Sequence, residues 1–226
     1  MGKGLTFALF HQDRSLCMPN PIKIVIISDT HNCHDQLSIP DADILIHAGD
    51  MTEYGTLAEI EDFDNWLGTL PHRHKLVIAG NHEVCVQEEG GWFLFHNATY
   101  LQDEAITIEG INFYGSPWQP AFFDMAFNLP RGEALAKKWQ KIPANTDILI
   151  THSPPYKYLD RIRSKWVGCE DLLKRVQEIK PRFHVFGHIH DCYGQESNLH
   201  TTFINACSVL ELDAPLNPPI VIEWSK

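Results

Sequence analysis

The sequence predicts an α/β fold, and three observations point to it. Apolar β-branched runs such as Ile22-Lys23-Ile24-Val25-Ile26-Ile27 recur along the chain, each short enough for a strand and apolar enough to be covered on both faces. Between them lie segments of helical spacing. Residues 56–70 put Leu57, Ile60, Phe63, Trp66, Leu67 and Leu70 on one face, with Thr56 as N-cap. In the middle, residues 105–109 and 111–115 flank Gly110 and read as two antiparallel strands around a tight turn.

Taken in order, further buried strands are expected at residues 41–48, 75–79, 147–150 and 183–186, and helices at 131–142 and 170–180, where Pro181 stops the second. Runs at 202–205, 209–212 and 219–223 add three β-rich segments. No linker divides the chain, so residues 21–226 are expected to form one domain after a poorly ordered extension, residues 1–20. The apolar run from Leu5 to Phe10 is too short for a signal sequence or a membrane span.

Charge and cysteine usage exclude some partners. With 18 Lys+Arg against 29 Asp+Glu the net charge is -11, which repels nucleic acid and acidic membranes. The six cysteines form no CxxC pair, as expected of reduced thiols in a cytoplasmic protein.

Five of the strands run into polar groups able to bind a metal: Asp29 with His31, Asp50, Asn81 with His82, His152, and His188 with His190. In α/β sheets the ligand crevice lies beyond the carboxyl ends of the strands, so these groups are expected to converge. On a loop after Gly187, His188 and His190 are free to diverge toward different acceptors. The donors are carboxylates, an amide and imidazoles, which suit Mn²⁺, Fe or Zn²⁺ and not a thiolate zinc site. Their number exceeds one tetrahedral site and fits two ions sharing a carboxylate, with Asp50, alone at its strand end, as the bridge. Two divalent ions over two carboxylates leave positive charge that attracts a phosphate ester.

The motifs Asp29-Thr30-His31, Gly49-Asp50, Gly80-Asn81-His82-Glu83, Thr151-His152 and Gly187-His188-Ile189-His190, in this order, resemble the calcineurin-like metallophosphoesterase superfamily. Asn65-Trp66-Leu67-Gly68, Gly115-Ser116-Pro117-Trp118-Gln119-Pro120, Phe127-Asn128-Leu129-Pro130-Arg131-Gly132 and Asn217-Pro218-Pro219-Ile220 are similar to the metallophosphoesterase-domain-containing family, a branch related to class III cyclic-nucleotide phosphodiesterases. The resemblance implies a four-layer fold, two mixed β-sheets packed as a sandwich and flanked by helices. It implies two metal ions, Mn²⁺ first and Fe or Zn²⁺ as alternatives. Asp29, His31 and His190 would hold one, Asn81, His152 and His188 the other, and Asp50 would bridge them. The implied reaction is attack on phosphorus by a metal-bridging hydroxide, with Asp50 and His82 catalytic. His82 would contact the phosphate without binding metal. Ser153 stands where that family carries Gly, and residues 84–100 form a shorter segment.

Substrate expectations follow from what surrounds these motifs. The phosphoprotein phosphatases of the superfamily place an arginine after Gly-Asp, whereas Gly49-Asp50-Met51-Thr52-Glu53-Tyr54-Gly55 has no cation, which favours diesters over monoesters. The expected partner is a small-molecule phosphodiester or nucleotide such as a cyclic nucleotide. The loop around Trp118, Phe122 and Phe123 would stack a base or else pack as a lid, and Arg161 and Arg163 are candidates to reach a phosphate. Glu83 would either orient a histidine or stand exposed at a helix start. Two other functions are weighed: a nuclease, opposed by the net charge, and a low-activity nucleotide-binding regulatory protein, opposed by the intact donor set.

Overall fold

The computed structural model describes residues 21–210 and 214–225, so the expected extension at residues 1–20 lies outside the described residues. In chain order the strands are β1 (Ile22–Ile27), β2 (Ile44–His47), β3 (His74–Val77), β4 (Thr99–Tyr100), β5 (Glu104–Ile108), β6 (Ile111–Ser116), β7 (Gln119–Pro120) and β8 (Asn128–Leu129). They continue with β9 (Ile148–Thr151), β10 (Arg161–Ile162), β11 (Lys165–Trp166), β12 (Phe183–Phe186), β13 (Gly194–Ser197), β14 (Thr202–Asn205) and β15 (Ile220–Trp224). The helices are α1 (Leu57–Thr69), α2 (Val84–Glu89), α3 (Glu133–Trp139) and α4 (Glu170–Ile179).

Two mixed sheets result, ordered β15-β1-β2-β3-β4 and β13-β14-β12-β9-β6-β5. Side-chain alternation along β1 explains how they stack. Ile24 and Ile26 enter a core with Ile44, Ile46, Phe113, Ile148, Val185 and Ile204, residues of both sheets. Val25 and Ile27 face the other way, onto Ile60, Phe63 and Leu67 of α1 and Val86 of α2. The second sheet repeats this: Tyr114, Leu149, Phe186 and Phe203 pack on Leu135 and Trp139 of α3 and Leu172 and Val176 of α4. Helices, sheet, sheet and helices make the expected four layers.

Helix α1 starts where the sequence places it, because Thr56 and Glu59 form a reciprocal capping box. Leu57 departs from its expected inward position and is 52% exposed. Residues 209–210, expected in a strand, are irregular, and residues 211–212 lie outside the described residues. Gly194, read as part of a turn, instead begins the edge strand β13. Among the described residues no helix is long and apolar enough to cross a membrane.

Candidate metal centre

Strands β1, β2, β3, β9 and β12 all open at one rim of the sandwich. The main chain stitches their loops together: Asp29 N–H donates to the Gly49 carbonyl (2.9 Å), His31 N–H to the Asp50 carbonyl (3.2 Å) and Gly187 N–H to the His152 carbonyl (2.9 Å). Asp29, His31, Asp50 and His188 all have positive φ, at 49°, 39°, 54° and 68°. Strain of this kind persists only where the surroundings enforce it. Gly187 is required for a steric reason, since a Cβ there would collide with the Asp29 carboxylate and the Ser28 hydroxyl.

The structure brings the sequence-derived donors into two groups that meet at Asp50. On one side, His31 Nε2 lies 3.4 Å from His190 Nε2, which is itself 3.3 Å from Asp29 Oδ1. On the other, His152 Nε2 lies 3.0 Å from Asn81 Oδ1, and His188 shares a cluster with His152 and Asp50. Asp50 Oδ2 stands between them, 3.9 Å from His31 Nε2 and 3.3 Å from His152 Nε2. The two histidines of the final motif diverge as expected, His188 joining the second group and His190 the first.

Donor chemistry fits a pair of divalent ions. His152 Nδ1–H donates to the Ala48 carbonyl (3.0 Å), which aims Nε2 at the oxygens of Asp50 and Asn81. Burial opposes charge on His152, but Asp50 beside it raises its pKa to about 10, so the chain alone holds a proton where a cation fits. His188 goes the other way: burial and the nearby charge of His152 lower it to about 4, leaving a neutral ligand. Burial also works against ionised Asp29, yet its hydrogen bond to His190 and the charge of His152 hold it well below the usual carboxylate range. His82, which the resemblance leaves out of the ligand set, also clusters with His31 and Asp50, its Nδ1–H donating to the Glu53 carbonyl (2.6 Å) and its Nε2 4.0 Å from Asp50 Oδ2.

Three residues hold roles the sequence did not show. Glu83 is fully buried and orients no histidine; its carboxylate accepts from the main-chain N–H of Asp50 (2.9 Å), Thr52 (3.0 Å) and Gly80 (2.6 Å) and from the Thr52 hydroxyl (2.8 Å). Burial and the Asp50 charge nonetheless raise its pKa to about 7. Cys207, expected only as one of the reduced thiols, donates its buried S–H to Asp29 Oδ2 (3.2 Å). Asn205, also buried, holds the loop between the two final histidines by donating to the Ile189 carbonyl (2.9 Å). Strand-end position was a usable signal for Cys207, which lies just past β14.

Two clefts open beside the centre. A space of about 510 Å³ is lined by His31, Glu53, His82 and His190, with Val209 and Leu216 as apolar wall. A second, of about 260 Å³, is lined by Phe122, Arg131, Ser153, Ile162 and His188. Trp118 stacks on neither side: its indole donates to Asp103 (3.1 Å), Lys138 caps its ring at 3.7 Å, and Phe127 packs on it edge-on. The packed-lid alternative therefore describes Trp118, and Phe122, 5.9 Å from His188 between ring centres, is the aromatic that reaches the site.

The calcineurin-like phosphoesterase family matches residues 22–192 of this chain. Metallophosphoesterase domain-containing protein 1 of Homo sapiens is 44% identical over 233 residues, covering 91% of this chain and 72% of the relative. UPF0046 protein K07C11.7 of Caenorhabditis elegans is 41% identical over 216 residues, covering 88% of this chain and 74% of its own. Among solved structures, TT1561 of Thermus thermophilus has the same fold, with a TM-score of 0.57 at 12% identity over 82% of this chain and 88% of that one. Motifs, fold and relatives agree: the chain belongs to the calcineurin-like phosphoesterase superfamily, in the metallophosphoesterase-domain-containing family of metal-binding hydrolases.

Proposed function

We propose that this protein hydrolyses phosphodiesters of nucleotide type, cyclic nucleotides included, at a pair of divalent cations in a cytoplasmic setting. The observation that carries the reading is Asp50 Oδ2, set within 4 Å of His31 Nε2 on one side and His152 Nε2 on the other. Asp29, His31 and His190 would hold one ion, Asn81, His152 and His188 the second, and Asp50 both. Bound there, such ions supply Lewis-acid activation of the phosphate and of water, with Mn²⁺ the first candidate and Fe or Zn²⁺ the alternatives.

The chain's own residues then divide the remaining work. Glu83 fixes the Asp50 loop through hydrogen bonds to three main-chain N–H groups. His82 lines the larger cleft, and its ring is edge-on to His31 with centroids 4.6 Å apart. With Nδ1–H donating to the Glu53 carbonyl, Nε2 is the ring nitrogen left to contact a phosphate oxygen or the leaving oxygen. Glu53 also supports a diester over a monoester: its carboxylate lies 3.4 Å from His31 Nδ1, and a second negative charge on the substrate would be repelled there.

Metal content and hydrolysis of bis(4-nitrophenyl) phosphate test this in wild type, Asp50→Ala and His188→Ala. Two ions per chain and turnover in the wild type alone are expected. Variants that keep both ions and full rate would overturn the assignment, and a substrate panel with each metal separates diester classes.

A further inference from the structure

The smaller cleft, beside His188, differs in chemistry from the larger one. Phe122, Ile162 and Val167 give it apolar walls, and Arg131 lies in its lining. Two of the guanidinium nitrogens of Arg131 donate to the carbonyls of Val167 and Gly168, which holds a cation at the cleft wall without neutralising it. Lys165 adds a second positive charge. It pairs directly with Ile162 across the β10–β11 hairpin, and opposed residues of an antiparallel pair share a face. Arg161 shares the opposite face with Trp166 and lies 5.6 Å from its ring, so it does not supply the phosphate contact considered from the sequence.

Among the described residues neither Arg131 nor Lys165 forms an ion pair with a carboxylate, whereas Arg73, Lys138 and Arg175 each do. In a chain of net charge -11, an uncompensated guanidinium in the cleft lining, with Lys165 on the hairpin face that carries Ile162, calls for an anion. Ser153 supports this: its buried hydroxyl has no hydrogen-bond partner among the described residues and lines the same space.

We propose that this cleft is a second anion subsite, taking the far arm of the substrate: a flat apolar group against Phe122 and Ile162 that ends in a further phosphate held by Arg131 and Lys165. The proposal rests on the phosphodiesterase reading only in placing the scissile phosphate at the metal centre. The cleft's volume of about 260 Å³ limits the arm to a compact group.

The test uses two inert probes, phenylphosphonate and benzene-1,4-bisphosphonate, titrated calorimetrically into the Mn²⁺-loaded protein. The bisphosphonate is expected to bind at least about tenfold tighter, equivalent to ~1.4 kcal/mol. Lys165→Ala should cut that advantage by about threefold, and Arg131→Met with Lys165→Ala should abolish it, while phenylphosphonate binds Lys165→Ala as it binds wild type. Added salt should shrink the advantage. Equal affinities in wild type, or an advantage surviving in the double variant, would overturn the subsite. If Arg131→Met does not fold, Lys165→Ala decides, and an unchanged ratio overturns it. Turnover of bis(4-nitrophenyl) phosphate is measured alongside: its absence with the bisphosphonate advantage intact would refute the phosphodiesterase reading and leave the second subsite standing.

Discussion

Replacing Glu83 by Gln is a near-isosteric change that should behave as a severe one. One carboxylate oxygen accepts from Asp50 N–H and Gly80 N–H, and the other from Thr52 N–H and the Thr52 hydroxyl. A glutamine offers one acceptor oxygen. Turned toward Asp50 and Gly80, it sets its NH₂ against Thr52, whose hydroxyl can rotate to accept but whose N–H cannot. One buried N–H then loses its partner, at ~1–3 kcal/mol, and the remaining bonds lose their charge assistance, a further ~1 kcal/mol. A total near ~3 kcal/mol corresponds to a fall in Tm of roughly 6–12 °C for a chain of this size. The effect should be largest with metal bound, because cations beside Asp50 favour an ionised Glu83, whereas burial and Asp50 otherwise push its pKa up to about 7. Thermal unfolding with and without Mn²⁺, together with metal titration, measures both parts. A Glu83→Gln protein with unchanged Tm and metal affinity would refute the reasoning.

Four other outcomes follow from the same geometry. Metal binding should expel protons, since His152 is raised to about 10 by Asp50 against burial and His190 is raised by Asp29, again against burial. Titration of Mn²⁺ in buffers of different ionisation enthalpy should show that release and an affinity that climbs with pH; identical heats would exclude it. Without metal the sign reverses for stability: protonated His152 stabilises fully below 6.5, and the unfolding midpoint should fall as pH rises toward 10. Gly187→Ala drives a methyl into Asp29 and Ser28 and should weaken metal binding ~10–100-fold, read by equilibrium dialysis. Asp103→Ala removes the acceptor shared by Ser116, Trp118, Lys138 and Lys141, so it should destabilise the fold by ~2–4 kcal/mol in denaturant titration while diester turnover changes little.

Much of the architecture was legible because the buried strands are continuous β-branched runs whose sides need not be distinguished. Strands β1 and β9 read this way and β12 as a short aromatic and apolar run, and Asp29, His152 and His188 followed because donors just beyond such strands must share a rim. What stayed hidden depends on distant partners or on local context. Cys207 gains its role only by meeting Asp29, 178 residues away. Glu83 stayed open between orienting a histidine and an exposed helix start because its partners Asp50 and Thr52 lie 33 and 31 residues away. Strand β13 was obscured by Gly194, which signals a turn but here begins an edge strand with φ at 141°. The expected strand at 209–212 carries apolar residues for another reason, since Val209 and Leu210 wall the larger cleft.

Electron paramagnetic resonance of the Mn²⁺-loaded protein addresses the bridging role of Asp50 most directly. Two ions sharing that carboxylate should give the broad spectrum of a magnetically coupled pair, and Asp50→Ala should lose the coupling. An isolated six-line Mn²⁺ signal in wild type at saturating metal would contradict the account.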